Sequence, residues 1–154
     1  MLEKRQKDSG VTPSRPSVIS IFICISIFGF LFHLIWEYVQ CSPLFIHLKV
    51  TPTFWSMLCA TIADIAILGI SYSAVAALNR DVAWPWSSQN LLSWLSFVFF
   101  SASVAEGIEY FAIRGELWTY SSINPTIGGV SMVPLFQMAI INPLTLLVAK
   151  KLLR

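Results

Sequence analysis

Four long apolar stretches, about residues 17–39, 53–78, 90–113 and 130–149, alternate with short polar segments along the chain. Wound as an α-helix, each holds roughly 20 residues or more and can cross a hydrocarbon core of about 30 Å. The pattern predicts an all-α fold, a polytopic membrane protein whose four-transmembrane-helix bundle fills residues 17–154. Pro52 stands just ahead of the second stretch, where helices commonly begin. Residues 1–16, MLEKRQKDSGVTPSRP, are charged and interrupted by Pro13 and Pro16, so they read as a disordered tail. Lys4, Arg5, Lys7 and Arg15 give the first stretch the look of a signal peptide. Its length exceeds a normal h-region and no small-x-small site follows, so an uncleaved first span is expected.

Composition agrees with lipid as the main solvent. The 154 residues are 56% hydrophobic and 12% charged, with a mean hydropathy of +0.71. Soluble domains average about 25% charged residues. The net charge of +2 comes from basic residues gathered in the tails and in the loop with Arg80, which would share one side of the membrane. Only Lys49 and Arg114 fall on the other. The positive-inside rule then puts both termini in the cytoplasm. Such a charge pattern reports orientation among membrane lipids and gives no basis for a nucleic-acid partner. Cys24, Cys41 and Cys59 form no C-x-x-C motif and read as small buried hydrophobes, with a Cys41–Cys59 bridge left open.

Four carboxyls interrupt the apolar stretches: Glu37, Asp64, Glu106 and Glu109. An ionisable group inside a bilayer costs roughly 2.5–3.5 kcal/mol on insertion scales, so such groups tend to face a bundle interior and to pair or react. With alternating helix directions, His33, Glu37, Asp64, Glu106, Glu109, Gln137 and Asn142 fall largely in the half away from the termini, under the 114–129 connection. His33 and Glu37 are four apart and Glu106 and Glu109 three apart, so each pair shares a helix face. Two carboxyls on one face in a low dielectric repel, and one then holds a proton, as a general acid must. Structural alternatives stand beside this: His33 bonding a neighbouring helix, Glu109 pairing with Arg114 or Lys49, and Gln137 and Asn142 joining helices. Trp36, Trp55, Trp84, Trp86 and Trp118 read mostly as an interfacial aromatic belt. The segment RGELWTYSSINPTIGG could be a plain loop or a lid, and its Trp118 and Tyr120 offer faces that stabilise cations.

No phosphate loop, Gly-x-Ser-x-Gly elbow or His-Glu-x-x-His motif is present, so neither a cofactor nor a metal is expected. The expected reading is acid–base chemistry of the cyclase or isomerase type on an isoprenoid-like or other lipid-soluble small molecule. Asp64, Glu106, Glu37 and His33 would exchange protons, and Glu109, Trp118, Tyr120, Gln137, Asn142 and Trp36 would bind the substrate. The alternative is a non-enzymatic protein that binds a lipid or amine, or relays protons, through the same cavity. Gly69 with Ser73, and Ala102 with Glu106, have spacings suggestive of helix packing, which would include a homo-oligomer.

Trp36-Glu37-x-x-Gln40-x-x-Pro43-Leu44, Asp64, Glu106, Arg114-Gly115-x-x-Trp118-x-Tyr120-Ser121, Pro125 and Ser131-x-x-Pro134-Leu135-x-Gln137 cover most of the chain past the tail. In them the chain resembles a group of small bacterial four-span membrane proteins without an assigned activity, which implies a bacterial inner membrane. Ala63 stands where that pattern has Gly. A looser resemblance links Gly115-Glu116-Leu117-Trp118-Thr119-Tyr120 and Pro134-Leu135-Phe136-Gln137 to membrane-embedded lycopene cyclase-type carotenoid and terpene cyclases. Phe136 and Gln137 replace the acidic pair of those enzymes. The His33, Glu37 and Glu106 set is similar in chemistry, though not in helix order, to the four-span sterol isomerase and emopamil-binding group.

Overall fold

A computed structural model describes residues 15–87 and 90–154. Residues 1–14, most of the expected tail, lie outside the described residues. Four helices are long and apolar enough to cross a membrane: α1 (Val18–Leu44), α2 (Phe54–Asn79), α4 (Leu91–Arg114) and α5 (Val133–Leu152). A single-turn helix, α3 (Trp84–Ser87), lies between α2 and α4. The starts of α1, α2 and α4 follow from local sequence. The Ser17 side chain accepts from the Ser20 N–H, Thr53 and Ser56 form a reciprocal capping box, and Asn90 accepts from the Leu92 N–H.

Two boundaries differ from those expected. The first helix continues past residue 39 to Leu44 because Gln40 and Cys41 are still buried against the bundle. The fourth span begins at Val133 rather than near residue 130 because Val130 and Ser131 are drawn into a hairpin. Strands β3 (Thr126–Ile127) and β4 (Val130–Ser131) form it, and its turn places Gly128 and Gly129 at φ of 61° and 82°. Two successive positive φ values suit a two-residue hairpin turn and favour glycine at both places.

Helix α1 packs chiefly on α2 and α5, and α4 on the same two, so α1 and α4 are diagonal in a four-helix ring. Association in lipid relies on close packing and interhelical hydrogen bonds, since lipid tails are as apolar as Leu. Gly29 supplies a close approach: a Cβ there would lie 2.7 Å from Leu68 Cδ2. Large apolar side chains such as Ile19, Trp55, Phe99 and Phe111 remain exposed on the outer surface, where lipid would meet them.

The half that holds the start of α1 and the end of α5 is filled by Ile21, Ile25, Leu68, Tyr72, Val75, Trp84, Phe97 and Leu146. Trp84 is only 1% exposed, which corrects its place in the aromatic belt. Its ring is enclosed by Tyr72, Trp94 and Phe97, because α3 turns it back under the bundle. Trp55, by contrast, is 70% exposed on the outer surface. All three cysteines are free, and Cys59 is exposed on α2 rather than buried.

The far half is closed by a cap. Strand β1 (Phe45–His47), straight after α1, pairs antiparallel with β2 (Trp118–Tyr120), with Phe45 opposite Tyr120 and His47 opposite Trp118. Ser121 Oγ donates to the Pro43 carbonyl at 2.8 Å, Asn124 Nδ2 to the Leu44 carbonyl at 2.9 Å, and Lys49 Nζ to the Gly115 carbonyl at 2.8 Å. The 114–129 connection is thus a lid sewn to the end of α1, not a plain loop.

Candidate functional site

Helices α1, α2 and α5 bring His33, Glu37, Gln40, Asp64, Gln137 and Asn142 together in the far half, all of them buried. On α1, His33, Glu37 and Gln40 recur at helical spacing and face the ring interior, while Ile35 and Tyr38 between them are exposed.

The orientation of this network can be followed from one donor. Trp36 Nε1–H only donates, and it reaches Gln40 Oε1 at 2.6 Å. The Gln40 amide nitrogen must then face the other way, where it donates to Glu37 Oε1 at 2.7 Å and to Gln137 Oε1 at 3.3 Å. That in turn fixes Gln137, whose Nε2 lies 2.7 Å from Asp64 Oδ2, 3.0 Å from His33 Nδ1 and 3.2 Å from Glu37 Oε1. On the far side of the imidazole, Asn142 Oδ1 accepts from His33 Nε2 at 2.9 Å while Asn142 Nδ2 donates to Met138 Sδ.

An amide nitrogen carries two hydrogens, yet three acceptors surround Gln137 Nε2. The Glu37 and Asp64 carboxyls also lie within hydrogen-bonding reach of each other, and His33 Nδ1 is 3.3 Å from Asp64 Oδ2. Two carboxyls can share a hydrogen bond only when one of them carries a proton. The donor count therefore closes by adding one proton to the His33–Glu37–Asp64 cluster.

Beside the cluster lies a cavity of about 310 Å³, lined mostly by apolar side chains such as Met57, Ala60, Ile67 and Ile108. Glu37, Asp64 and Gln137 form part of its polar lining, and Glu109 contributes from α4. Trp118 Nε1–H holds both Glu109 oxygens, at 3.2 and 3.3 Å, and the Tyr120 hydroxyl also bonds this carboxyl. Strand alternation explains the arrangement. Trp118 and Tyr120 lie on one face of β2, opposite Phe45 and His47 of β1, while Ile46 and Thr119 between them are exposed.

The candidates thus separate by place. Glu37, Asp64, Glu109, Trp118 and Gln137 line the cavity. His33 and Asn142 lie behind it, Trp36 orients Gln40, and Tyr120 braces Glu109. Glu106 does not line the cavity. Its carboxyl takes the Leu135 backbone N–H in the first turn of α5, a helix whose N-cap Met132 offers no side-chain cap, and its Oε1 has no partner among the described residues. The close carboxyl neighbour of Asp64 is Glu37. Glu109 pairs with neither cation open to it: Lys49 meets Glu116 at 3.3 Å and the Arg114 guanidinium lies over the Tyr110 ring.

Sequence reasoning passed over Gln40, Cys41, Phe45 and His47 as site residues. The spacing of Trp36, Glu37 and Gln40 on one helix was a usable signal for the first. The others depend on the β1–β2 pairing, which joins residues far apart in sequence. No group of three or more His, Cys, Asp or Glu able to hold a metal occurs among the described residues. The chain matches no protein-family profile, no curated protein and no solved structure.

Proposed function

We propose that this integral membrane protein is an acid–base enzyme of the isomerase or cyclase type, acting on a lipid-soluble, isoprenoid-like substrate in the capped cavity. The observation that carries the proposal is the His33–Glu37–Asp64 cluster, one proton short of a closed hydrogen-bond count, at the edge of an otherwise apolar cavity. Proton transfer to a carbon–carbon double bond needs an acid kept out of water and a base to receive a proton afterwards.

In the proposed step, the Glu37–Asp64 pair delivers its proton to one alkene carbon and leaves a cation on the neighbouring carbon. The Trp118 face and the Glu109 carboxylate steady that charge from the other wall. Loss of a proton from an adjacent carbon to the cluster restores the double bond at a new position, so protons balance over the cycle. His33 and Gln137 orient the acids, and the lid keeps water from trapping the cation. A proton path across the whole bundle is disfavoured by the packed rings around Trp84 in the other half. The same reading puts the protein in a bacterial inner membrane with both termini cytoplasmic.

The test is lipid and isoprenoid profiling of membranes from cells expressing wild type, Asp64→Asn or Glu37→Gln at matched levels. A species that changes with wild type and reverts in both variants is expected. Identical profiles in hosts supplied with a range of isoprenoids would reduce the site to binding or proton relay.

A further inference from the structure

At the rim of the same cavity, Cys41 and His47 form a second reactive group that the acid–base reading does not use. Cys41 lies in the last turns of α1, and His47 comes from β1, which the cap holds by its pairing with β2. The Cys41 Sγ is 3.0 Å from His47 Nε2, and both residues line the cavity. Among the described residues His47 Nδ1 is buried without a hydrogen-bond partner, and the imidazole's one side-chain hydrogen bond there is to the thiol. Among the described residues neither Cys24 nor Cys59 hydrogen-bonds a histidine, and Cys59 is the most exposed of the three. A sulfur with a ring nitrogen at hydrogen-bonding distance, on the wall of a largely apolar cavity, has the parts of an activated nucleophile.

We infer that Cys41, with His47 as its base, is a nucleophilic site that takes apolar electrophiles of the α,β-unsaturated carbonyl class entering the cavity. His47 Nε2 removes the thiol proton as the sulfur adds to the β-carbon. The carbon–carbon π bond breaks, the electron pair moves to the α-carbon, and the imidazolium returns the proton there. One C–S and one C–H bond form and no oxidant is needed. Other titratable groups face this pair. Glu37 lies one turn back on α1, Asp64 and Glu109 line the cavity from α2 and α4, and Lys49, beyond β1, is engaged with Glu116.

N-Ethylmaleimide is a small membrane-permeant electrophile of this class. Labelling of the intact protein in nanodiscs, read site by site by peptide mass spectrometry, gives the Cys41 rate relative to Cys59 and Cys24. In wild type Cys41 is expected to react about ten-fold faster than either. Replacing the base by an amide in His47→Gln tests its part directly. That variant should lose most of the Cys41 advantage. Cys41 reacting no faster than Cys59 would overturn the inference. So would a His47→Gln ratio that stays level or rises, the result if His47 only shields the thiol. Neither readout depends on isoprenoid turnover, so this inference stands or falls apart from the proposed reaction.

Discussion

Around Trp84 the bundle is closed by rings, with Trp94 at 5.3 Å and Tyr72 and Phe97 each at 5.9 Å between centroids. Around Gln137 it is joined instead by amides, carboxyls and an imidazole that share too few hydrogens. Both regions are buried, and both connect several helices. The ring cluster makes contacts that any well-packed apolar set would serve, so its natural role is to hold the fold. The polar cluster burdens a membrane bundle with desolvated carboxyls that hydrophobic residues of similar volume would avoid. Its position beside a cavity is what makes that burden intelligible. The contrast separates a region that holds the fold from the region to which the proposed chemistry is assigned.

The sharpest break of that comparison is a crossed pair of substitutions. Asp64→Asn should lower turnover by about 100- to 10,000-fold, the usual contribution of a positioned acid or base. Thermal stability should hold or rise, because the new amide brings two donors to a cluster crowded with acceptors. Trp84→Ala should do the reverse, costing roughly 3–5 kcal/mol of stability through the cavity it leaves. Turnover per folded molecule should stay close to wild type. Activity and unfolding measured on both variants in the same detergent decide the matter; an Asp64→Asn protein that unfolds as readily as Trp84→Ala would make the polar cluster structural.

The two regions were unequally legible in the sequence. Hydropathy alone is enough to find the four spans, since nothing but length and apolarity is needed for a helix to cross lipid. Helical spacing likewise puts His33 and Glu37 on one face, and depth counting puts Asp64 near the midplane with Gln137 in the half away from the termini. Two choices could not be made that way. Glu106 and Glu109 are one turn apart, yet a modest rotation of α4 decides which of them meets the cavity, and only packing against α2 and α5 sets it. Trp84 has an interfacial pattern until α3 folds it under the core. The cap was hidden for another reason: β1 and β2 have three residues each, too short for any periodic signal.

A gentler perturbation sharpens the account of the polar region. Trp36→Phe keeps the ring and removes the donor that orients Gln40. Both glutamine amides are then free to turn over, and a reversed Gln137 would present an oxygen to Asp64, His33 and Glu37. The loss of one such bond should cost about 1 kcal/mol of stability. Turnover should fall roughly ten-fold, the scale expected for misplacing a positioned group without removing it. Nitrogen NMR of His33 should show a mixed tautomer in place of the Nε2–H form that Asn142 selects. An unchanged spectrum would mean that Asn142 and the carboxyls hold the network without the indole.

The smallest effects lie outside the spans, where the two ends should answer pH in opposite directions. Near α3, the Ser87 hydroxyl, the Ala83 N–H and Arg15 hold the Asp81 carboxyl below its ordinary range. A depressed carboxylate stabilises above its unfolded value of about 3.9, and that contribution disappears as pH falls through the lower folded value. On the cap, burial, with the Glu109 carboxyl beside it, pushes the Tyr120 hydroxyl up to about 12. A phenol that ionises near pH 10 when unfolded but later when folded stabilises fully below about 10, and the benefit drains away as pH climbs toward about 12. The acid limb of a stability profile should therefore flatten in Asp81→Asn and the alkaline limb in Tyr120→Phe, each variant leaving the other limb alone. Tryptophan-monitored melting from pH 3 to 12 reads both limbs. If Tyr120→Phe left the alkaline limb as steep as wild type, the hydroxyl would be titrating in water, and the lid would not be closed over Glu109.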